Sequence, residues 1–214
     1  MKLSSVFPCD ARILFQGDSI TDGNRGRDWD PNHILGHGYA FIVGAKLGAE
    51  CAERNWTFLN RGISGNKVTD LAERWDADTL ALRPDVLSIL IGVNDASASV
   101  PVEKYERDYD ALLSSTVAAL PAVRLVLCEP FSLPVGPPGE KWATWNPHME
   151  QLRDAVDRLG AKHAATVVKL QKVFEDACRR APAQYWMWDG VHPTYSGHHL
   201  IAEEWMRVLM SNSL

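Results

Sequence analysis

The chain has 214 residues, of which 46% are hydrophobic and 23% charged, the ordinary balance of a globular protein rather than a disordered one. Its formal net charge of −5 gives no reason to expect nucleic acid or an anionic membrane surface as a partner. The longest apolar stretch, residues 86–93, is too short to span a bilayer. We expect a single domain over residues 1–214, because a chain of this length can bury a substantial core.

The start of the chain and its cysteines predict a cytoplasmic protein. Residues 1–20 contain no basic segment followed by an apolar run, so no secretory signal is predicted. The four cysteines are widely scattered without CxxC spacing and are expected to be reduced thiols. No His-Glu-x-x-His motif and no paired Cys/His set occurs, so we expect neither a metal nor another cofactor.

Short apolar runs alternate with amphipathic stretches along the chain. The runs are continuous rather than alternating in polarity, which is typical of strands buried on both faces of a parallel sheet. The predicted strands are Arg12–Gln16, Thr57–Asn60, Asp85–Ile91, Arg124–Cys128 and Thr166–Leu170. The predicted helices are Tyr39–Ala52, Val68–Leu82, Val102–Leu120, Asn146–Lys162, Lys172–Arg180 and Ser196–Met210. Five such units predict an α/β fold, a three-layer α/β/α sandwich.

One stretch breaks this alternation. The segment Pro130–Pro147 contains five prolines and two glycines, which predict neither helix nor strand. It follows the fourth predicted strand and therefore belongs at the carboxyl edge of the sheet, where open α/β proteins bind ligands. We expect a long functional loop there.

Polar residues follow several of these strands, and Ser19 is the first of them. It comes directly after the first strand, within Gly17-Asp18-Ser19. A serine hydroxyl is a poor nucleophile without a base in hydrogen-bond reach, and alone it indicates an N-cap or a phosphate loop more often than catalysis. The segment is neither Gly-x-Ser-x-Gly nor a Walker loop.

A candidate base and its acid lie near the end of the chain. Asp189 and His192 stand three residues apart before the last predicted helix, a spacing that lets one tight turn place the carboxylate on Nδ1 of the imidazole. Nε2 is then free to take the proton of Ser19. Of the other histidines, three fall in or beside edge loops and could touch substrate, and three belong to the last two long helices or their ends: His33, His37 and His148, then His163, His198 and His199.

Acyl transfer also needs hydrogen-bond donors for the oxygen that becomes negative. Asn94 follows the third strand, and Gly65 follows the second, where its backbone N–H can approach a ligand without a Cβ in the way. The backbone N–H of Ser19 is the third candidate donor. Either Gly65 or Asn94 seen singly indicates turn chemistry.

Together, four short segments resemble the consensus blocks of the SGNH, or GDSL, hydrolase superfamily. They are Gly17-Asp18-Ser19-Ile20, Gly62-Ile63-Ser64-Gly65-Asn66, Gly92-Val93-Asn94-Asp95 and Asp189-Gly190-Val191-His192. The resemblance implies a flavodoxin-like five-stranded parallel sheet and a serine esterase. It implies a catalytic triad of Ser19, His192 and Asp189 and an oxyanion hole of Ser19, Gly65 and Asn94. Ile20 replaces the family's usual leucine, which leaves the chemistry unchanged.

A narrower resemblance concerns the substrate. Residues 60–68, 71–75, 88–95 and 188–193 are similar to those of the intracellular bacterial xylan acetylesterases. This implies an esterase for acetylated xylo-oligosaccharides that forms a homo-oligomer. Other branches of the superfamily are thioesterases, lysophospholipases and arylesterases, so a non-sugar acyl ester is the alternative substrate. A flavodoxin-like binding protein with a phosphate loop at residues 17–23 is a further alternative.

Tryptophans in the edge segments are candidate sugar contacts, because flat aromatic faces with a polar handle suit sugar rings. Trp188 adjoins the candidate acid, and Trp142 and Trp145 lie in the proline-rich segment. Trp29 and Trp186 lie in other edge segments. The competing interpretation for each is packing in the core or in a subunit contact.

Overall fold

The computed structural model describes residues 6–28 and 30–211. Its five strands are β1 Arg12–Gly17, β2 Thr57–Asn60, β3 Val86–Leu90, β4 Arg124–Cys128 and β5 Thr166–Val168. They form one sheet in the order β2-β1-β3-β4-β5, with all neighbours parallel. This is the flavodoxin-like order, so the expected sheet is confirmed.

Helices connect the strands. They are α1 Ser19–Asp22, α2 Tyr39–Glu50, α3 Val68–Trp75, α4 Val93–Ser97, α5 Val102–Ala119, α6 Gly136–Glu140, α7 Trp142–Lys162, α8 Leu170–Ala177, α9 Ala183–Trp186 and α10 Tyr195–Ser211. A 3₁₀ turn covers Ala52–Arg54, and a π-helical segment, Asp76–Leu80, continues α3. The six helices predicted from the sequence are all present, with ends shifted by a few residues.

The sheet lies between two groups of helices. Helices α2, α8 and α10 pack together, as do α3, α5 and α7, which gives the predicted three-layer sandwich. The central strand β3 is buried along its whole length. The indole N–H of Trp205 on α10 donates a 2.9 Å hydrogen bond to Ser88 in β3, so a polar contact fixes one layer at the middle of the sheet.

The prediction that residues 130–147 form neither helix nor strand is wrong for most of that segment. Helix α6 begins just before Pro137 and Pro138, where a missing N–H costs nothing because the first turn has no intrahelical partner. Pro147 lies inside α7 and removes one hydrogen bond there. Burial of Trp145 and Met149 on that helix stabilises it in spite of the proline.

Three loops at the carboxyl edge carry residues singled out in the sequence. Ser19 follows β1, Gly65 follows β2, and Asn94 follows β3. Because β1 lies between β2 and β3, these three loops are neighbours. Along the sequence, β2 follows on one side of β1 and β3 on the other, so the strand order reverses at β1. Open α/β proteins bind ligands in the crevice at such a reversal.

Candidate active site

The serine after β1 lies in the first turn of α1. Ser19 is the first residue of that four-residue helix and is half-exposed. The side chain of Asp18 caps the helix, since its carboxylate accepts a 3.0 Å hydrogen bond from the backbone N–H of Ile20. Asp18 is fully buried, and burial raises its pKa to about 7. The cap fixes the backbone that carries Ser19.

A single turn before α10 joins the candidate acid and base. Oδ2 of Asp189 lies 2.7 Å from Nδ1 of His192. Oδ1 accepts hydrogen bonds from the backbone N–H groups of Val191 and His192, at 2.9 and 2.7 Å. Gly190 has φ = +87°, and a Cβ there would lie 2.1 Å from the carbonyl oxygen of Val135. Burial raises the pKa of Asp189, but the hydrogen bonds from His192 and Val191 outweigh it, so the net pKa is lowered.

This turn meets Ser19 from the far end of the chain. The Oγ of Ser19 lies 2.8 Å from Nε2 of His192, 173 residues further on. The indole of Trp188 stacks on the imidazole, with centroids 6.1 Å apart and planes at 21°. Serine, imidazole and carboxylate thus form one hydrogen-bonded chain, the geometry in which histidine takes a serine proton.

The loops that carry the candidate oxyanion donors are joined to each other. The Nδ2 of Asn94 donates a 3.1 Å hydrogen bond to the carbonyl oxygen of Asn66, which leaves its second N–H for another acceptor. Gly65 precedes Asn66 and has φ = +86°, a left-handed conformation that favours glycine. No described atom lies within 4 Å of where its Cβ would be, so the Gly65 peptide borders open space.

Asp22, which the sequence analysis missed, connects α1 to this loop. It lies three residues after Ser19, and its side chain is 3% exposed. Its Oδ2 accepts hydrogen bonds from the backbone N–H and the hydroxyl of Ser64, both at 3.0 Å, and from Arg27 at 2.8 Å. Burial raises the pKa of Asp22, but the bonds from Arg27 and Ser64 outweigh it and lower the pKa. The ionised carboxylate therefore fixes the peptide before Gly65.

Two further polar side chains hold the same loop and were also missed. Asn60, at the end of β2, donates to the carbonyl oxygen of Thr21 at 2.6 Å and accepts from the N–H of Gly62 at 2.9 Å. The guanidinium of Arg74 donates to Oδ1 of Asn66 at 2.9 Å. Paired groups of this kind are costly to disturb, because each removed partner leaves a desolvated donor or acceptor behind.

One cavity opens beside the imidazole of His192, and a second shares two wall residues with it. The first, of about 220 Å³, is lined by Val93, Asn94, Ser97, Pro137, Pro138, Lys141, Trp145, Asp189, Val191 and His192. The second, of about 320 Å³, is lined by Ala96, Ser99, Lys141, Thr144, Trp145 and His148. Lys141 and Trp145 belong to both, so they form the wall between them.

The candidate tryptophans occupy different surroundings. Trp188 is 66% exposed beside the imidazole. Trp145 is buried, and its indole N–H donates a 2.9 Å hydrogen bond to the hydroxyl of Ser132, yet it lines both cavities. Trp142 is half-buried against the core and is not among the residues that line either cavity. Trp188 therefore lies beside His192 and Trp145 in the cavity walls, whereas Trp142 lines neither cavity.

The remaining candidates lie elsewhere. Burial lowers the pKa of His198 to about 4, and its Nδ1 accepts a hydrogen bond from the N–H of Tyr39. His148 lines the second cavity, Trp186 is buried, and Trp29 lies outside the described residues. In residues 6–28 and 30–211, no group of three His, Cys, Asp or Glu residues is placed to hold a metal ion. No helix in that part of the chain is long and apolar enough to cross a membrane.

Comparison with known proteins decides the family. Residues 15–200 match the model of the GDSL-like lipase/acylhydrolase family. The chain belongs to this family. The GDSL-like chain is also 33% identical, over 92% of its own length and of the other's, to an acetylxylan esterase of Geobacillus stearothermophilus. The family and this relative identify it as a carboxylic ester hydrolase, as the sequence predicted.

Solved structures agree with this assignment. A protein of Parabacteroides merdae described as a GDSL-like lipase has a TM-score of 0.91 and 42% identity, over 95% of this chain and 97% of the other. Axe2, the acetylxylan esterase of Geobacillus stearothermophilus, has a TM-score of 0.84 and 30% identity, over 98% and 96%. Similar structures include two catalytic mutants of Axe2, one with a serine and one with an aspartate changed to alanine.

Proposed function

We propose that this GDSL-like hydrolase removes acetyl groups from small carbohydrate esters, acetylated xylo-oligosaccharides above all, through a covalent acyl-enzyme. The observation that carries the chemistry is the hydrogen-bonded chain from Ser19 through His192 to Asp189. A phosphate-binding loop at residues 17–23 would not require these hydrogen bonds among Ser19, His192 and Asp189. The catalytic mutations of Axe2 at a serine and an aspartate support the same chemistry.

In the first half of the reaction, Ser19 Oγ attacks the ester carbonyl carbon while Nε2 of His192 takes its proton. The tetrahedral intermediate then breaks its bond to the sugar oxygen, which receives that proton from His192. The acetyl group stays on Ser19. Asp189 accepts the Nδ1–H throughout, so it fixes the tautomer and stabilises the imidazolium.

In the second half, water attacks the acetyl-serine and gives a proton to His192. Collapse of this intermediate returns the proton to Ser19 and releases acetate. No other group is needed to balance the reaction.

The carbonyl oxygen becomes negative in both halves, and three donors are assigned to it. They are the backbone N–H groups of Ser19 and Gly65 and the free N–H of Asn94. Each such donor contributes about 3–4 kcal/mol of transition-state stabilisation. The bond from Asn94 to Asn66 supports this role, because it holds the amide in one orientation before substrate arrives.

The walls of the first cavity support a small polar ester. They combine the hydroxyl of Ser97, the amide of Asn94 and the ammonium group of Lys141 with short apolar surfaces, rather than the continuous apolar lining that a long acyl chain needs. Trp188 offers an exposed ring beside His192. The acetylxylan esterase among the relatives supports the same substrate.

A panel of esters tests this function. We expect kcat/KM for acetylated xylosides to exceed that for octanoyl esters and acyl-thioesters, with acetate as the product. A serine-directed phosphonate should label Ser19 alone, and the Ser19→Ala variant should escape labelling. Faster turnover of octanoyl esters would indicate a lipid substrate rather than a sugar ester. Labelling at another residue would disprove the mechanism.

We also propose a homo-oligomer. Exposed aromatic side chains support it, because Tyr185, Trp188 and Tyr195 are 52%, 66% and 84% exposed on the segment that carries the base. Light scattering on the wild type and on Tyr195→Glu tests the proposal, and a monomeric mass for the wild type would contradict it. The cytoplasmic location and the lack of a nucleic-acid or membrane partner stay predictions of the sequence.

A further inference from the structure

Lys141 differs from the other lysines that the structure describes. The structure describes seven lysines, and the six other than Lys141 have a carboxylate within ion-pair distance: Lys46, Lys67, Lys104, Lys162, Lys169 and Lys172. In the described part of the chain, Lys141 has no such partner. Its ammonium group lies over the ring of Trp145, 5.0 Å from the centroid, a contact that leaves its N–H donors free.

This lysine lies in the active-site wall. It sits between α6 and α7 and lines both cavities, the first together with His192 and the second together with Thr144 and Ser99. The residue is exposed, so its charge stays at the surface while the ammonium group lies over Trp145. An ammonium group thus borders both the cavity that contains His192 and its neighbour.

On the side of the second cavity, no described residue of opposite charge faces the ammonium group of Lys141. Asp189 is the sole acidic residue among those lining the first cavity, and both its oxygens are occupied by donors from His192 and Val191. No acidic residue lines the second cavity. Glu140, the sequence neighbour of Lys141, lines neither. Concave, poorly polarisable walls concentrate the field of a charge, so the second cavity, whose walls include Lys141 and no acidic residue, should favour anions although the whole chain carries −5.

We propose that Lys141 is a specificity-determining residue that binds a carboxylate of the substrate. The chemistry fits two sources: a uronic acid on the sugar side of the ester, or the free carboxylate of a dicarboxylic acyl group such as succinyl. Lysine suits either, because its compact charge and three donors do not demand the planar geometry that arginine does. This inference rests on the proposed ester hydrolysis and adds a charged feature to its substrate.

Kinetics with matched substrates tests the inference. The probes are acetylated xylotriose, the same oligosaccharide carrying one glucuronic acid, and a succinyl ester of the neutral sugar. For the wild type, we expect kcat/KM to be higher for one acidic probe than for the neutral one, and added salt should reduce this preference. The probe that is preferred identifies the source of the carboxylate.

Variants assign the preference to the residue. Lys141→Gln should lower the ratio of acidic to neutral kcat/KM about three- to tenfold, chiefly through KM, and Lys141→Glu should lower it further. Lys141→Arg should retain most of the ratio because it keeps the charge. The matched control is Lys172→Gln, an exposed lysine paired with Asp176 on α8, which should leave the ratio unchanged.

Two outcomes would overturn the inference. One is a wild type with no preference for either acidic probe. The other is a Lys141→Gln variant that slows neutral and acidic probes equally, which would make the lysine a packing residue on Trp145. If the enzyme hydrolyses no sugar ester, the proposed function fails separately. The charge can then still be tested by calorimetric titration with the deacetylated acidic oligosaccharide and with succinate. Lys141→Gln should weaken the binding of one of them, and failure of both to bind the wild type would refute the inference.

Discussion

The two halves of the candidate active site are built differently. Asp189 and His192 share one four-residue turn, and the imidazole on that turn is hydrogen-bonded to Ser19. The opposite half, which carries Gly65 and Asn94, combines loops from three strands held by buried polar side chains.

The first half is held by contacts within one turn, and the second by contacts between residues far apart in sequence. The acid–base pair depends on spacing within one turn, so most distant substitutions leave its internal geometry intact. The oxyanion half depends on contacts among distant segments, so it should respond to changes outside the reacting groups. Variants in each half can test this contrast.

The largest loss of activity should come from removing the hydrogen bond between Ser19 and His192, which joins the two halves. Ser19→Ala and His192→Ala should each lower kcat at least about 10⁴-fold, because members of a triad act as a unit. Steady-state turnover of an aryl acetate, with circular dichroism as a control for folding, measures this. A variant that keeps more than a few per cent of activity would contradict the assignment.

Asp189→Ala should cost roughly ten- to a hundredfold less than His192→Ala, since the imidazole still works in part without its orienting acid. The same aryl acetate assay measures both variants. Equal losses would mean that the turn collapses without the carboxylate, and the acid–base half would then be less independent than its geometry suggests.

Asn94→Ala tests the oxyanion half directly. Its kcat should fall roughly 10²–10³-fold with little change in KM, as expected for a donor that acts only in the transition state. Steady-state kinetics on an acetylated xyloside distinguishes the two constants. A raised KM at unchanged kcat would show that Asn94 binds ground-state substrate instead.

Asp18, the N-cap of α1, should make the stability of the protein depend on pH. Its pKa rises from 3.8 when unfolded to about 7 when folded, so the folded protein holds the extra proton between these values and loses stability as pH rises through them. Asp18→Asn keeps an acceptor for Ile20 and lacks this loss. The variant should therefore gain on the order of 2–3 kcal/mol over the wild type at pH 8, and little at pH 4. Urea unfolding at both pH values measures the difference, and a gain independent of pH would refute the ionisation argument.

Asp22 tests whether the oxyanion half depends on remote support. Asp22→Ala should lower kcat on the order of tenfold and the free energy of unfolding by about 1–3 kcal/mol, because Ser64 and Arg27 lose their buried acceptor. Asp22→Asn should recover part of kcat. Asp110→Ala, which removes a surface carboxylate paired with Lys162, is the control for stability alone. If both alanine variants lower stability but neither lowers kcat, Asp22 is not a positioning residue.

The smallest effect concerns Trp188. If its ring binds sugar, Trp188→Ala should raise KM for acetylated xylosides a few-fold and leave aryl acetate kinetics nearly unchanged, because one exposed aromatic contact is worth about 1 kcal/mol. If it only covers the imidazole, both substrates should change together. An altered mass in light scattering would instead place Trp188 in a subunit contact.

Residues with a local signal could be predicted from the sequence. Continuous apolar runs located all five strands, and the three-residue spacing of Asp189 and His192 predicted their contact. Asp22 and Asn60 carried no such signal, because their partners lie about 40 residues away and an aspartate or asparagine near a loop is common. The segment at residues 136–147 was misjudged because burial of Trp145 and Met149, a tertiary effect, outweighs the helix-breaking tendency of proline.

The proposed reacting groups and part of the cavity wall lie on separate stretches of this chain. The segment between β4 and the first turns of α7 supplies Pro137, Lys141 and Trp145 to the cavity walls but none of the proposed reacting groups. Exchanging this segment should therefore change the substrate range while leaving the proposed reacting groups in place.

That exchange has one geometric condition. A Cβ at Gly136 would lie 2.4 Å from the carbonyl oxygen of Asp189, and the N–H of Leu133 donates to the carbonyl oxygen of Gly190. A transplanted segment must keep this glycine and this hydrogen bond, because both contact the turn that carries Asp189 and His192. Chimeras that keep both features should acquire a new substrate preference with kcat nearly unchanged.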